Sequence, residues 1–391
     1  MRKAKGTLQR EDSTKGLVLK MALELSMSKW KVAFGWEDQT RYVTIEARDL
    51  DRLQEEIGKA KKRFGLAEGV EVLSCYEAGR DGFWLHRYLK SCGVESLVVD
   101  SSSIEVSRRK RRAKTDRLDA RKLLGMLVRH AGGERGFWSV VRVPGEEEEG
   151  ARHLHRELEV LWKERTMHRN RIQSLLILQG VVVKNPGGRK FLVELEGMRR
   201  WDGEGIPEEM KRRIIREHGR LRMVEEQIYG LKKEQEKRVK EEASEAMGKA
   251  RKLMSLVGIG VVSSYKFVRE AFGWREFRNR KEVGALAGLT PTPYDSGGRG
   301  REQGVSKAGN GRIRALAVEM AWMWNRFQPR SKLSRWYQER FEGGGKRMRR
   351  IGIVALARRL LIALWRYLEK GVIPEGARLR PARALISGPK A

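Results

Sequence analysis

The chain has 391 residues, and its 83 Lys and Arg against 51 Asp and Glu give a formal net charge of +32. Such a surplus repels itself in a compact protein unless an anionic partner neutralises it, so the composition predicts a nucleic-acid-binding protein. Its 40% of apolar residues is enough to build ordinary cores, which excludes a wholly disordered basic tail. Two cysteines and six histidines exclude a disulfide scaffold and a zinc finger.

No uninterrupted apolar run reaches the ~18 residues of a membrane-spanning helix. The most apolar stretch, 351–368, contains Arg358, Arg359 and Arg366 and predicts a buried amphipathic helix. The two cysteines suit a reducing compartment. We therefore expect a cytoplasmic protein with no membrane partner.

Residues 17–145 alternate strand-like and helix-like stretches. Three apolar stretches separated by short polar breaks predict consecutive antiparallel strands, VLKMALELSM, KWKVAFGW and RYVTIEA. A helix over 50–64, two strands separated by a second helix, and a long helix from about Lys114 to His130 follow. The order β-β-β-α-β-α-β-α is that of an α/β domain of the RNase H-like, or RuvC-like, class.

Residues 146–250 are dense in charge and carry only a sparse apolar stripe. Its members Leu221, Val224, Ile228 and Leu231 follow the 3-4-3 spacing of a coiled coil. The stretch VVVKNPGGRKF breaks the segment into an antiparallel pair of helices, 151–179 and 207–245, which predicts a protruding helical hairpin or a dimerisation arm. We expect dimerisation, because so sparse a stripe cannot be buried within one hairpin.

Residues 251–374 predict a mainly α-helical C-terminal domain. Two apolar helical stretches flank Gly258-Ile259-Gly260, the pattern of a helix-hairpin-helix whose amides contact a DNA phosphate, although Gly-x-Gly is also common in plain tight turns. A long Gly-rich loop over 288–311 precedes a helix with one apolar face. Residues 1–16 and 375–391 are predicted to be a flexible basic arm and a flexible tail.

Four carboxylates fall near strand and helix ends of the first domain. Glu24 lies on the first strand and Glu77 ends the fourth, while Asp116 and Asp119 share one face at the start of the last helix. Carboxylates that point into a sheet edge are costly unless a cation binds them, and Mg²⁺ prefers such oxygen ligands. Any one of these acids could instead cap a helix or lie in a loop. The four together favour a metal site for phosphoryl transfer.

A basic run precedes the paired aspartates. It is either a solvated loop or, beside a metal site, a group of phosphate ligands. Its members are Arg108, Arg109, Lys110, Arg111, Arg112 and Lys114.

Ser296 is the candidate nucleophile of the Gly-rich loop. Most serines in such loops only cap turns, but Arg299, Arg301 and Lys307 could hold a phosphate that the neighbouring glycines let the backbone approach. The loop does not match Gly-x-x-x-x-Gly-Lys-Ser/Thr, so it gives no support to nucleotide hydrolysis. The absence of a nearby His excludes a Ser-His-Asp hydrolase.

At this point the residues resemble the transposases of IS-110 type insertion sequences, including the IS-1111 branch. The resemblance covers about 18–130 and 250–330. It rests on motifs that occur in the family's order: Tyr76-Glu77-Ala78-Gly79, the segment Lys114 to Arg121, Leu289-Thr290-Pro291, Ser296-Gly297 and Ser306-Lys307-Ala308-Gly309-Asn310. The family's usual first acid is Asp, whereas this chain has Glu24. The longer side chain keeps the oxygen ligand and shifts the metal.

The resemblance implies a RuvC-like domain whose carboxylates hold Mg²⁺ and a C-terminal domain whose serine attacks a DNA phosphate. It also implies a structured guide RNA that pairs with donor and target DNA, which would explain a very basic protein with no recognisable base-reading domain. Assembly as a homo-oligomer, a dimer or a tetramer in synapsis, and a prokaryotic, nucleoid-associated location are further expectations.

Two other functions stay open. A RuvC-like nuclease such as a junction resolvase would use water in place of Ser296. A non-catalytic RNA- or DNA-binding protein would use the same fold without the chemistry, and Glu24 in place of Asp is the residue that favours this alternative.

Overall fold

The computed structural model describes residues 18–79, 81–100, 103–104, 116–296, 299–307 and 309–381. The chain divides into two compact units between Val143 and Pro144. Within the described ranges, no helix is both long and apolar enough to cross a membrane.

The first unit is built around a mixed five-stranded sheet. The strands are β1 (Val18–Glu24), β2 (Lys29–Trp36), β3 (Gln39–Glu46), β4 (Glu71–Glu77) and β5 (Glu95–Val99), and the helices are α1 (Leu50–Arg63), α2 (Trp84–Ser91) and α3 (Asp116–Ala131). The strand order is β3-β2-β1-β4-β5, antiparallel from β3 to β1 and parallel from β1 to β5. The predicted α/β class and order of elements are confirmed.

Alternation along the strands sends side chains to two separate cores. Leu19, Met21 and Leu23 of β1 face the core that also contains the buried residues of α1 and α2. Ala22, between them, faces the opposite core together with Cys75 of β4 and the apolar side of α3. The sheet is therefore covered on both faces, with α3 alone on the side of Ala22 among the described helices of this unit.

The second unit is mainly helical. Its helices are α4 (Glu146–Gly150), α5 (His153–Ile177), α6 (Phe191–Gly197), α7 (Glu208–Glu241), α8 (Glu245–Met254), α9 (Val261–Phe267), α10 (Arg280–Leu286), α11 (Gly311–Phe327), α12 (Lys332–Tyr337) and α13 (Lys346–Lys370). Two π-helical turns, Val268–Phe272 and Gln338–Glu342, extend α9 and α12. The predicted apolar helix over 351–368 is confirmed within α13.

Helices α5 and α7 pair along their length, and we call this pair the helical arm. The apolar stripe of α7 is already buried in the arm, because Leu221 packs with Ile172 and Leu176 of α5, while Val224 and Ile228 pack with Leu158 and Leu161. The prediction that this stripe needs a second protomer for its burial is therefore wrong. A long partner helix from the same chain supplies the apolar surface that the sparse stripe lacks.

The predicted linker and C-terminal segments share one core. Leu154 of α5 and Val239 of α7 pack in the same cluster as Met320 of α11 and Leu360 of α13. The turn Gly258-Ile259-Gly260 joins α8 to α9, as predicted, with Ile259 buried in this cluster.

The prediction of a flexible tail from residue 375 is wrong for 375–381. The amide of Arg378 donates to Gln328 Oε1 at 2.8 Å, and Gln328 Nε2 donates back to the Arg378 carbonyl at 2.9 Å. The Arg380 amide donates to the carbonyl of Ser255 at 2.7 Å. This segment is held because its backbone groups find partners on the helical core. Residues 382–391, like the predicted arm over 1–16, lie outside the described residues.

The predicted Gly-rich loop contains a two-stranded antiparallel ribbon. Strands β6 (Pro291–Ser296) and β7 (Arg299–Val305) pair with Ser296 opposite Arg299. Composition suggested a loop because glycines and polar residues dominate here. Backbone hydrogen bonds between strands do not depend on that composition, and two residues between Ser296 and Arg299 suit a tight hairpin.

Candidate active site

Two of the predicted acids end neighbouring parallel strands. Glu24 is the last residue of β1 and Glu77 the last residue of β4. Leu23 pairs with Tyr76, so the next residue of each strand lies at the same level. Glu24 is two residues beyond Ala22, and Glu77 two beyond Cys75, so alternation places both acids on the face that α3 covers.

Helix α3 begins over this same end of the sheet. Ala120 shares a small cavity with Lys31 of β2, the residue paired with Glu24, whereas Leu124 lies against Gly35 near the opposite end of β2. The helix therefore runs antiparallel to β1, with its amino-terminal turn toward the strand ends that carry the acids.

A single contact shows where Asp119 lies along the length of the strands. The Sγ atom of Cys75 lies 3.8 Å from the carbonyl oxygen of Leu123. Asp119 is about 6 Å along the helix before Leu123, and Glu77 is about 6.6 Å along the strand beyond Cys75. Both displacements run in the same direction, so the half-buried Asp119 and the strand-end acids occupy one end of the sheet.

The structure leaves the four-acid metal site a prediction. The described part of Asp116 is its backbone, as the first residue of α3. Among side chains that the structure describes, no three His, Cys, Asp or Glu are grouped to hold a metal ion. Carboxylates are nevertheless the hard oxygen ligands that Mg²⁺ prefers, so the donor chemistry at this sheet end fits that ion. The basic run over 108–114 lies outside the described residues.

Ser296 lies at the tip of the ribbon formed by β6 and β7, which we call the serine hairpin. Arg299 is its partner across the ribbon, and Arg301 pairs with Tyr294 two positions further along. Since the described part of these residues is the backbone, the directions of their side chains stay predictions. The pairing itself places Ser296 beside one of the three cations predicted to hold phosphate.

The base of the serine hairpin is clamped to the helical core. The amide of Ser306 donates to the Thr290 carbonyl at 2.9 Å, and the amide of Lys307 donates to the Gly288 carbonyl at 3.0 Å. Arg314 of α11 donates to the carbonyls of Ala287 and Lys307 at 3.1 and 2.9 Å. The ribbon therefore projects from a fixed root. Arg314 holds this root, and the sequence analysis did not identify it as a functional residue.

Gly309 is required by this root. Its φ is +112°, and a Cβ atom there would lie 2.5 Å from the carbonyl oxygen of Leu286. Only glycine combines that backbone conformation with so close an approach. Lys307, one of the predicted phosphate ligands, also has a positive φ of 56°, and its side chain is exposed.

Asn310 connects the serine hairpin to a buried carboxylate. Its side-chain oxygen accepts hydrogen bonds from the amides of Arg312 and Ile313 and so caps α11. Its Nδ2 donates to Glu270 at 3.3 Å. Glu270 lies on the π-helical turn, is 1% exposed, and accepts hydrogen bonds at 2.8 Å from both His155 Nε2 and Arg156 Nε of the helical arm.

This network fixes the charge states of its members. Burial alone would raise the pKa of the Glu270 carboxyl, but the hydrogen bonds from His155 and Arg156 and the positive charge of Arg156 hold that pKa well below its usual range. Burial lowers the pKa of His155 below its usual value, against the opposing effect of Glu270. His155 Nδ1 is buried without a partner among the described residues, which agrees with a neutral imidazole protonated on Nε2.

We expect acid to destabilise the second unit through this network. Both pKa values are lower in the folded chain, so the unfolded chain takes up more protons and stability falls as the pH drops below about 6.5, the ordinary pKa of His. Glu270→Gln should lower the free energy of unfolding by about 3 kcal/mol at pH 7, as for a broken buried ion pair. It should also flatten the dependence of stability on pH below about 4.5, the ordinary pKa of Glu, where the wild-type carboxylate takes up its proton only on unfolding. Thermal melting between pH 3 and 8 measures both effects.

The control is Glu276→Gln, another Glu-to-Gln change in the same unit, at an exposed carboxylate. We expect it to leave the pH dependence unchanged. A Glu270→Gln protein whose melting temperature varies with pH as steeply as that of the wild type would contradict the assignment.

The predicted phosphate-binding glycines have a structural role of their own. Gly258 has a φ of +95°, and a Cβ atom there would lie 3.2 Å from Phe327 Cβ of α11. Gly260 caps the start of α9 with extended backbone. Contact of this turn with DNA therefore stays a prediction, while the packing against α11 is sufficient reason for a glycine at position 258.

The first unit has a mixed sheet whose parallel strands end in acids, and the second unit carries the serine hairpin. This arrangement suits an enzyme that acts on nucleic acid. Residues 250–335, which contain the serine hairpin and its root, match the model of the Transposase IS116/IS110/IS902 family.

Whole-chain comparison agrees. The chain is 38% identical to a protein of Sinorhizobium fredii named transposase y4rJ, over 91% of this chain and 93% of that protein. It is 29% identical to transposase y4qE of the same organism, over 68% of this chain and 61% of that protein. It is 24% identical to the transposase for insertion sequence element IS1328 of Yersinia enterocolitica, over 45% of this chain and 50% of that protein. The chain belongs to the IS116/IS110/IS902 family of insertion-sequence transposases.

Proposed function

We propose that this transposase cuts and rejoins DNA through a covalent phosphoserine link made by Ser296, in a Mg²⁺-dependent reaction guided by an element-encoded structured RNA. The proposal rests on one observation: one unit has the carboxylates that a metal needs, and the other has the candidate nucleophile. The first has a mixed sheet with carboxylates at one end. The second carries Ser296 opposite Arg299 on a hairpin whose root is held to the helical core.

Glu24, Glu77, Asp116 and Asp119 would hold the metal. When bound, Mg²⁺ neutralises phosphate charge and lowers the pKa of an oxygen nucleophile. Arg299, Arg301 and Lys307 bind and orient the scissile phosphate. Ser296 Oγ gives up its proton to solvent and forms a bond to phosphorus while the bond to one DNA oxygen breaks, and that leaving oxygen takes up a proton from solvent. Attack of a second DNA end on the phosphoserine then releases the serine, so no bond energy is lost to hydrolysis.

The guide RNA accounts for the charge of the chain. A surplus of +32 gives strong binding to any phosphate backbone without reading bases. Sequence recognition can then be delegated to base pairing, as in other RNA-guided proteins. DNA and RNA partners place the protein at the nucleoid in the cytoplasm. Rejoining four DNA ends requires several protomers, so we propose a homo-dimer that pairs into a tetramer in synapsis, through surfaces other than the buried stripe of α7.

Reconstituted recombination between two plasmids tests the proposal. Purified protein with RNA transcribed from the element's non-coding end should yield recombinant plasmid, and yield none when the RNA is omitted or EDTA is added. Recombination that proceeds without RNA would contradict the proposed role of the guide RNA. Strand cutting with no joined product would favour a junction resolvase instead.

A further inference from the structure

A cationic groove lies in the second unit. It is bounded by α10, α12, α13 and the chain that follows α13, and its volume is about 1000 Å³. Six cations line it without forming an ion pair in the described part of the chain: Arg280, Lys281, Arg335, Arg358, Arg359 and Arg366. Of its two carboxylates, Glu375 is already paired with Lys332 at 2.7 Å, which leaves Glu339 against the six.

Positive charge in the groove exceeds the negative charge of its carboxylates. The Nε atom of Arg358 is buried with no hydrogen-bond partner among the described residues. Desolvation and the neighbouring Arg340 and Arg358 lower the pKa of the Arg359 guanidinium, as expected where like charges gather. A buried donor and a cluster of like charges both cost free energy unless an anion binds them.

The floor of the groove is apolar and aromatic. Val372 and Ile373 are 55% and 45% exposed there, and Ile362 is half-buried beside them. The guanidinium of Arg359 lies over Trp336, 3.8 Å from the ring centroid. A polyanion that offered only phosphates would gain nothing from this floor, whereas the faces of unstacked bases would cover it.

The size of the groove and its apolar floor together favour one strand over two. A volume of 1000 Å³ is at the upper end of small-molecule pockets, which span about 300–1,000 Å³. It accommodates a few nucleotides of a single strand, whose unstacked bases can cover the apolar floor as the paired and stacked bases of a duplex cannot.

We propose that this groove binds a single-stranded segment of nucleic acid, with its phosphates on the six cations and its bases on the apolar floor. The inference rests on the proposed function, because a strand of that kind is exposed when guide RNA pairs with one strand of a DNA target. It assigns a nucleic-acid contact to cations that were not among the predicted site residues.

The test is the salt dependence of binding in EDTA, where no strand chemistry occurs. The probe is an oligonucleotide of about 12 nucleotides, within the ~4–16 nucleotide site sizes of single-strand-binding modules. Arg335→Ala with Arg366→Ala removes two exposed cations of the groove. The slope of log affinity against log salt should then fall by about 1.4, since each neutralised phosphate of a single strand contributes about 0.7.

The matched control removes two exposed cations of α1, by Lys62→Ala with Arg63→Ala. Its slope should equal that of the wild type. Arg335→Lys with Arg366→Lys should restore the groove slope, which separates charge from misfolding. A slope that falls equally in both alanine pairs, or in neither, would overturn the proposal.

Competitors distinguish the kind of occupant. Unlabelled single strands of DNA and of RNA should both displace the probe. The competitor that binds more tightly shows whether the occupant of the groove is DNA or RNA. Duplex DNA or polyglutamate that displaces the probe as well as the single strands do would overturn the proposal, because the groove would then be a general polyanion surface. If a covalent adduct persisted without Ser296, the proposed chemistry would fail while these binding results would stand.

Discussion

Ser296→Ala should abolish the covalent link between protein and DNA. Loss of the nucleophile has cost about 10⁶-fold in a well-studied covalent enzyme, so we expect the adduct to fall below detection. The measurement mixes protein, DNA and guide RNA with Mg²⁺, denatures the products, and detects protein that migrates with DNA. Since Ser296 ends β6 at the tip of the ribbon, the substitution should not disturb the root of the hairpin.

The control is Ser306→Ala at the other end of the same ribbon. The backbone amide of Ser306 donates to the Thr290 carbonyl, and its side chain is exposed, so the alanine variant should fold and keep forming the adduct. An adduct that persists in Ser296→Ala would overturn the assignment. If it were lost in Ser306→Ala instead, that serine would be the nucleophile.

Replacing either of two sheet-end acids should abolish strand cleavage without unfolding the protein. Glu77→Gln and Asp119→Asn each remove one negative charge with little change in volume. Second-shell partners of metal ligands cost about 10–100-fold when changed, so loss of a direct ligand should cost at least about 100-fold. Cleavage of labelled DNA at several Mg²⁺ concentrations measures the loss, and added Mg²⁺ should restore part of it if binding of the metal is what weakened.

Glu71→Gln is the matched control for this prediction. Glu71 begins the strand that Glu77 ends, and both residues are exposed, so the two substitutions differ in the end of the sheet that they change. Glu71→Gln should cleave like the wild type. Wild-type cleavage by Glu77→Gln or Asp119→Asn, with an unchanged melting temperature, would remove that residue from the metal site.

Local sequence was sufficient for the first unit because its elements follow simple periodicities. The strands β1, β2 and β3 alternate or are nearly continuously apolar, and α1 repeats Leu53, Ile57 and Ala60 on one face. The ends of parallel strands meet at one sheet edge, so Glu24 and Glu77 could be placed together before their register was known. The register of Leu23 with Tyr76 and the direction of α3 required the structure.

The predictions for the α7 stripe and for the Gly-rich segment were wrong for different reasons. The antiparallel pairing of the two helices was predicted, but the sparse stripe of α7 did not show that α5 supplies enough apolar surface to bury it. The serine hairpin depends on main-chain hydrogen bonds between strands and on a root formed by Arg314 and Gly309.

By itself the sequence determined the polyanionic partner, the α/β class of the first unit, and the family, because net charge, periodicity and short ordered motifs are all local properties. Tertiary structure alone decided which surfaces are already buried and which charges find partners. Glu270 lies in a short apolar stretch of sequence, and only packing shows that Arg156 compensates its charge while His155 and Asn310 donate hydrogen bonds to it. The cations of the groove come from α10, α12 and α13, far apart along the chain, and they become a binding site only where folding brings like charges together without a counter-ion.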